Sequence, residues 1–564
     1  MSKENPTKIE NGSSYDENGW KYISISGTPR ERGYAHGYFS AKDFKEIQVM
    51  MEFNVMEEFG LDWNEFFVKN SKDLYNDKIK ETYPEFYEEM EGIAEGVNAN
   101  TDVGAKTSID EIIAWNNSIA LLEYWYPNQN TDADPTKMIK GEGGSRRRHG
   151  GSDRCSGFII NGDYTKDGKI VMGHNTFCPF LDGQYYNYIL DIQCANAEKG
   201  SFHILMQTCP CWIWSGSDFF VTTAGIMGTE TTIGGFSKFE NNLPISCRIR
   251  KAMQYGKTLD DYERILLEGN SGDYANSWLF GDTNTNEIMV IELGLKYHKT
   301  EKKTNGYFFG CNLAFDPQIR NLECGDTGYC DIRRHQGSRQ VRIPDMIEEY
   351  KGKIDVAVGK LIIADHYDVY LKKENPCSRT ICSHYELDAR EYMSDPSRPK
   401  PFQPRGAVDG AVVDSEMTKK MAFAMRWGSS CGTGFDKTAF CDEHRQWKAM
   451  EPYMKDRPSQ PWTDFSIMRD GNSEEVMSSE EGDTSSTSST SSTSSTSSIS
   501  SSSSSNVGEI GEIGEIIEIE PLPEEEKEEK EKEEKIKPTK TIRKRNKNKG
   551  GKKTRRINRK PILL

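Results

Sequence analysis

No stretch of this chain approaches the roughly twenty consecutive apolar residues that a helix needs to cross a bilayer, so a helical membrane span is not expected. Residues 1–15 are polar and lack the apolar core of a secretory leader. From residue 473 to the end there is no Phe, Trp or Tyr. Ser, Thr, Glu, Lys and Arg dominate instead, and such a segment cannot bury enough apolar surface to offset the entropy of ordering it. The thirteen cysteines contain no pair of closely spaced pairs: Cys209 and Cys211 stand apart from similar couples, so no zinc motif is read from them. Most are expected as buried thiols, with a few pairing only in an oxidising compartment. An excess of positive charge is missing too. The formal net charge of -16 argues against a nucleic-acid-binding body. Only the tail has a basic end, residues 541–560 after the acidic residues 524–534, which suits contact with an anionic surface.

What is present divides into five stretches. Residues 1–19 read as a flexible N-terminus. Residues 20–126 begin with a strand-like run, Tyr22, Ile23 and Ile25, ended by Gly27 and Pro29. Amphipathic helices follow over 41–59 and 83–97, the second marked by Phe86, Met90, Ile93, Ala94 and Val97. Ser108 and Glu111 form a capping-box pattern before Ile112, Ile113 and Ala114. Residues 127–154 are linker-like and end in a basic, Gly-containing run suited to excision. Residues 155–465 carry many short strand-like runs (158–160, 170–172, 186–192, 202–206, 219–223, 278–280, 288–292) separated by turns such as Asn161-Gly162 and Asp167-Gly168, with helices added later, as over 259–267. That grouping predicts a layered α+β body. Residues 466–564 are a Ser/Thr-rich, acidic, then basic tail read as disordered, with no catalytic role.

One cysteine stands out. Cys155 opens the apolar run Phe158, Ile159 and Ile160 directly after the linker. A tight turn at Asp167 and Gly168 then returns the chain through Gly173-His174-Asn175-Thr176. A hairpin of that length brings His174 and Asn175 beside Cys155, a nucleophile, a titratable ring and an amide in one place. A thiol at a strand start is more often a packed residue, and a lone histidine more often a satisfied core residue. Their concurrence is what singles them out.

The segment CSGFIINGDYTKDGKIVMGHNTF (residues 155–177) resembles the start of the mature chain in N-terminal-nucleophile (Ntn) hydrolases, and within them the phospholipase B-like proteins. SGSDFFVTTAGIMGTETTIG, NSGDYANSWLFGD, RGAVDGAVVDSEM and RWGSSCGTGFD resemble later blocks of that family in order. RERGYAHG and YPEFYEEMEGIAEG are similar to its acyltransferase branch. The resemblance implies a four-layer αββα sandwich made as a precursor that cuts itself between Arg154 and Cys155. The freed α-amine, with an ordinary pKa near 8, then serves as base for the Cys155 thiol. It implies His174 in the place where related enzymes have an arginine beside the thiol. It makes Asn276 an oxyanion donor, puts Asn175, Thr176, Glu230 and Thr231 at the pocket, and suggests Arg379 as a distal cation. Related acyltransferases have an aspartate where this chain has Phe177, so the group that orients the amine is left open.

The expected activity is hydrolysis of acyl ester or amide bonds in lipid-like substrates. The alternatives are an amidase or acyltransferase acting on N-acyl amino acids or peptides, and a non-catalytic packaging or surface-binding protein that displays the tail. No metal or organic cofactor is implied. The expected partners are a lipid or N-acyl small-molecule substrate, the chain's own N-terminal fragment as a non-covalent subunit, an anionic surface met by the tail, and a second copy in a homodimer. The family is usually secreted or lysosomal, and the compartment is left open.

Overall fold

In the computed structural model the described residues are 6–100, 106–129, 155–196, 200–216, 219–325, 328–389 and 401–467. Most of the linker, including Arg154, and nearly all of the tail lie outside them. Residues 1–479 form one compact unit, so the stretches on either side of the linker belong to a single body. The fold is α+β, built on two large sheets. The first has ten strands, in spatial order Thr7–Ile9, Gly12–Glu17, Trp20–Ile25, Tyr188–Asn196, Gly200–Thr208, Phe219–Thr222, Ile226–Thr232, Asn276–Asp282, Glu287–Leu293 and His298–Lys303. The second runs Gly306–Gly310, Cys155–Asn161, Val171–Pro179, Asp409–Asp414, Ala422–Trp427 and Thr463–Ser466, with Arg405–Ala407 also paired to Val171–Pro179. Among the described residues no helix is long and apolar enough to cross a membrane.

The first sheet corrects one expectation. Residues 7–17, read as a flexible N-terminus, pair as strands, with Tyr15 opposite Tyr22 and their rings stacked at 4.8 Å. The run GSSYDE hid this because it is polar and only half-buried, without a clear apolar alternation. Trp20–Ile25 joins the body by parallel pairing to Tyr188–Asn196, and every other pairing in the sheet is antiparallel.

The side-chain period of two sorts the second sheet into faces. Cys155, Gly157 and Ile159 lie opposite Thr176, His174 and Met172. A Cβ placed on Gly157 would lie 3.4 Å from Thr231 Cγ2, and one on Gly281 would lie 3.0 Å from Ile159 Cδ1, so this face meets the ten-stranded sheet. Phe158, Ile160, Val171 and Val412 point the other way, into a separate apolar cluster with Ile343 and Ile347 of the helix His335–Glu349 and Ile362 and Ile363 of the helix Val356–Ile363. Helix Leu259–Leu267 packs Tyr262 on Phe220 and Phe280 of the ten-stranded sheet.

The N-terminal helices Pro29–Phe59 and Pro84–Ala99 run side by side in the same direction at backbone contact. Gly33 and Gly37 meet the carbonyls of Glu89 and Ile93, while Gly92 and Gly96 meet those of Arg30 and Tyr34. A Cβ at any of the four would sit 2.0–2.2 Å from those oxygens. The glycines of the two N-terminal motifs are thus an interlocked pair of small-residue ridges. The Ser108 capping box forms as its spacing predicts, at the start of helix Ile109–Asn116.

Glu89 ties this segment to the body. It is fully buried and held by Arg32 at 2.6 Å and by two nitrogens of Arg250 at 3.1 Å, the latter from helix Ile245–Tyr255. Asn116 adds two bonds to the backbone of Cys211 and Ile213, at 2.9 and 2.8 Å. Gly37→Ala and Gly96→Ala should each lower stability by about 3 kcal/mol, the upper range of overpacking, because a rigid backbone oxygen cannot move aside. Denaturant unfolding midpoints check this, and an unchanged midpoint in either variant would show that the helices separate freely.

Candidate active site

Cys155 is the first residue of its strand and is fully buried. Its position follows from the hairpin: Gly162 and Gly168, both at positive φ, turn the chain, and Gly162 N–H donates to Gly168 O at 3.1 Å. The register sets Thr176 opposite Cys155. His174 is one rung along on the same face, its Cδ2 within 3.4 Å of the Cβ position of Gly157, as is Thr231 Cγ2. Burial pulls the His174 pKa down to about 3, against an upward pull from the backbone of Glu230, so the ring is neutral at any ordinary pH.

Asn175, grouped above with Cys155 and His174, faces the opposite side because it is one residue out of phase. Its oxygen accepts Ser156 N–H at 3.2 Å, and its nitrogen donates to Ile363 O, Ile381 O and Ser430 Oγ at 2.8, 3.1 and 3.2 Å. It is a fastener behind Cys155.

Two residues that the sequence did not single out complete the surroundings of Cys155. The Cys155 N–H donates to Asn312 Oδ1 at 3.4 Å. Asn312 has a left-handed backbone, φ 62°, which asparagine tolerates better than most residues, and its Nδ2 donates to Thr232 O at 2.8 Å. Arg339, fully buried on helix His335–Glu349, donates to Cys155 O at 2.6 Å, to Ser156 Oγ at 3.2 Å and to Asn312 Oδ1 at 2.9 Å. Its guanidinium lies 4.8 Å from the centre of the Phe177 ring. The Phe177 ring is therefore a platform for that cation.

Asn276 pairs with Thr232 in the neighbouring rung, one step from the Asn312 bond. It is fully buried, and among the described residues neither its amide nitrogen nor its oxygen has a hydrogen-bond partner. An unpaired buried amide costs about 1–3 kcal/mol, so its retention calls for a use. Thr231 Oγ1 is buried and unpaired in the same way, and it fits only because residue 310 is Gly: a Cβ there would lie 2.0 Å from it. Glu230 accepts from Tyr274 Oη at 2.7 Å.

Arg379 is also buried. It binds Asp368 through Nε and Nη2, at 3.2 and 2.6 Å, in a buried pair that fixes its own loop. The cation that touches Cys155 is Arg339. Two surface clefts, one around Tyr164, Lys303 and Phe309 and one around Lys45, Tyr185 and Tyr453, include none of the residues gathered around Cys155.

With the site assembled, the chain can be set beside known proteins. The family model described as Phospholipase B matches residues 22–293. That stretch is similar to the phospholipase B family. It takes in Cys155, His174, Thr231 and Asn276 and ends with the strand Glu287–Leu293, before Asn312 and Arg339. Phospholipase B-like protein G of Dictyostelium discoideum is 24% identical over 273 residues, 43% of this chain and 42% of that protein. An uncharacterized protein of Archaeoglobus fulgidus is 26% identical over 161 residues, 28% of this chain and 24% of that protein. The chain thus aligns with less than half the length of either relative.

Asp409, from the block RGAVDGAVVDSEM, holds Thr176 in place. Its carboxylate accepts Thr176 N–H at 2.7 Å and Gln207 Nε2 at 2.7 Å, and burial raises its pKa to about 6. Because the folded value lies above the unfolded one, the folded chain keeps a proton that the unfolded chain releases. This group therefore favours the fold fully below about pH 4, and that contribution is lost as pH rises through about 6. The stability of the natural chain minus that of Asp409→Asn should fall by about 2 kcal/mol between pH 4 and 7, read from denaturant melts at stepped pH. A flat difference would mean that the carboxylate is already charged at pH 4.

Proposed function

We propose that this protein is a hydrolase of acyl ester or amide bonds of the phospholipase B-like kind, working through Cys155 as an N-terminal nucleophile in an αββα sandwich. The observation that carries the reading is the hydrogen bond from the Cys155 nitrogen to Asn312 Oδ1, beside Arg339. The atom that would become the free amine is already held by a side-chain acceptor next to a fixed positive charge. A cation at that distance disfavours protonation of an amine, which keeps it available as a base. Asn312 thus takes the orienting role left open by Phe177.

In the activating step Cys155 Sγ attacks the carbonyl carbon of Arg154. The peptide bond to Cys155 N breaks, that nitrogen takes a proton, and water hydrolyses the resulting thioester to leave a carboxylate on Arg154. In turnover the Cys155 amine accepts the thiol proton as Sγ attacks the acyl carbonyl. It returns the proton to the departing alcohol or amine, and water then releases the fatty or other acyl acid from the thioester. Asn276 Nδ2, buried and unpaired, is the donor reserved for the oxyanion. Neutral His174 and Thr231 line the thiol's side of the sheet interface, and Arg379 serves the loop around it instead of the reacting atoms. The N-terminal fragment stays bound as a subunit, through the parallel strand and the Glu89 pairs.

Two measurements test this. N-terminal sequencing of the large fragment should read Cys-Ser-Gly-Phe, and Cys155→Ala should remain one chain. A natural chain that stays whole after acid or protease treatment would favour the non-catalytic alternative. When residues 1–154 and 155–564 are co-expressed as separate chains, Asn276→Ala should lower kcat about 100- to 1,000-fold, with KM little changed. A near-normal kcat on both a phospholipid and an N-acyl amide would remove Asn276 from the oxyanion role. The ratio of the two natural-enzyme activities decides between lipase and amidase.

A further inference from the structure

Behind the strand that begins at Cys155 lies a second cluster of reactive side chains to which the hydrolytic chemistry gives no part. His366, Cys382, His384 and Cys431 come from three separate segments, yet their ligand atoms all lie within 4.8 Å of one another. The Nε2 of His384 is 3.3 Å from Cys382 Sγ and 3.4 Å from Cys431 Sγ. Sulfur and nitrogen ligands of one tetrahedral zinc ion stand about 3.5 Å apart, given bonds of about 2.3 and 2.1 Å. The His366 and His384 rings are 5.0 Å apart and steeply inclined, at 70°.

The surroundings are those of a metal site. His384 Nδ1 is 2.6 Å from Glu386 Oε1, an arrangement in which Nδ1–H donates to the carboxylate and Nε2, the atom facing both sulfurs, is available as the ligand atom. Thr433 N–H points at Cys431 Sγ at 3.4 Å, as a donor to a thiolate does. Cys382 and His384 are buried, and His366 and Cys431 are half-buried. Two thiolates, two neutral imidazoles and one divalent ion sum to zero charge, which suits burial. Four protein ligands leave no open position, as in a structural site.

We propose that His366, Cys382, His384 and Cys431 bind one structural zinc ion. The two thiols, Cys382 and Cys431, stand far apart in the sequence, so no cysteine spacing marks the site. The ion would clamp the three segments that Asn175 and Ser156 already touch. Ile381 O, just before Cys382, accepts from both, at 3.1 Å each, and Ser430, just before Cys431, accepts from Asn175. Cys382 N–H donates to Asp365 O, next to His366, at 3.1 Å. The clamp thus buttresses the back of the strand that presents Cys155, without touching the reacting atoms. The rival arrangement of the two sulfurs is a disulfide, which needs them at about 2.05 Å.

The full chain, expressed with zinc and dialysed against a weak chelator, should carry roughly one zinc by elemental mass spectrometry. Cys382→Ser/Cys431→Ser should carry none, and Cys330→Ser, at an exposed cysteine, should keep it. Should the double variant not fold, the unaltered protein still decides the matter. A thiol-specific mercurial should release the zinc to a colorimetric indicator, a strong chelator should lower Tm by about 5 °C, and added zinc should restore it. Cobalt in its place should show a thiolate charge-transfer band and a tetrahedral visible spectrum. Metal-free protein under these conditions, zinc retained by a folded double variant, or a Cys382–Cys431 disulfide in a non-reducing peptide map would each overturn the site.

Discussion

The side-chain amide of Asn175 is the contact on which the second sheet and the layer behind it depend. It sits on the outer face of the strand Val171–Pro179, accepts the backbone N–H of Ser156, and donates to Ile363, Ile381 and Ser430. One buried group thereby fixes the residue after Cys155, the end of helix Val356–Ile363 and two further segments. Buried polar networks of this kind rigidify a core when every member is satisfied and weaken it sharply when one is lost. Ser156 Oγ, donating to Ile381 O, doubles the link. On the near face, Asn312 and Arg339 hold the backbone of Cys155 itself. Cys155 is thus positioned by main-chain bonds on both sides of one strand.

Much of this was legible because it is local. Cys155, the turn and Gly-His-Asn lie within one hairpin, and a hairpin's register follows from its turn. The same locality explains the error over Asn175. Placing it beside the thiol ignored the strand's period of two, which sends neighbours to opposite faces. Asn312 and Arg339 were not legible, because their roles arise from distant packing. Arg339 lies in SRQVRIPDM, a stretch that reads as an ordinary amphipathic helix, and Asn312 matters only once the chain reverses there at positive φ. Arg379 and Arg339 are both buried, and their partners tell them apart: Asp368 for one, the Cys155 carbonyl for the other. The N-terminal strands were hidden by their polarity. Helices were expected over 41–59 and 83–97, but the first begins at Pro29, so Gly33 and Gly37 fell outside the expected span, and the reason for the four glycines needed the facing backbone.

The charges buried in the body are used locally. Glu89 is shared by two arginines, Asp273 by Arg248 and the first turn of helix Ile245–Tyr255, and Asp368 by Arg379. Such pairs contribute less to net stability than to choosing one arrangement, because desolvation offsets most of the attraction. Asp273 explains the motif NSGDYANSWLFGD: its carboxylate anchors a helix start while Asn276, three residues on, begins the strand that borders the site.

The parallel pairing of Trp20–Ile25 with Tyr188–Asn196 has a consequence for the life history of the molecule. Joining two parallel strands demands a long crossover, and here the chain between them contains the linker. While that linker is intact, closing the sheet is an intramolecular event with a modest entropy cost. A cut at Arg154 would erase the covalent route without disturbing the assembled sheet. The product would then be a two-chain object whose reassembly after unfolding depends on concentration, although its first folding did not. Its persistence would rest on the height of the barrier to strand separation and no longer on a reversible equilibrium. Such a protein folds once, as a single chain, and afterwards endures by slow kinetics.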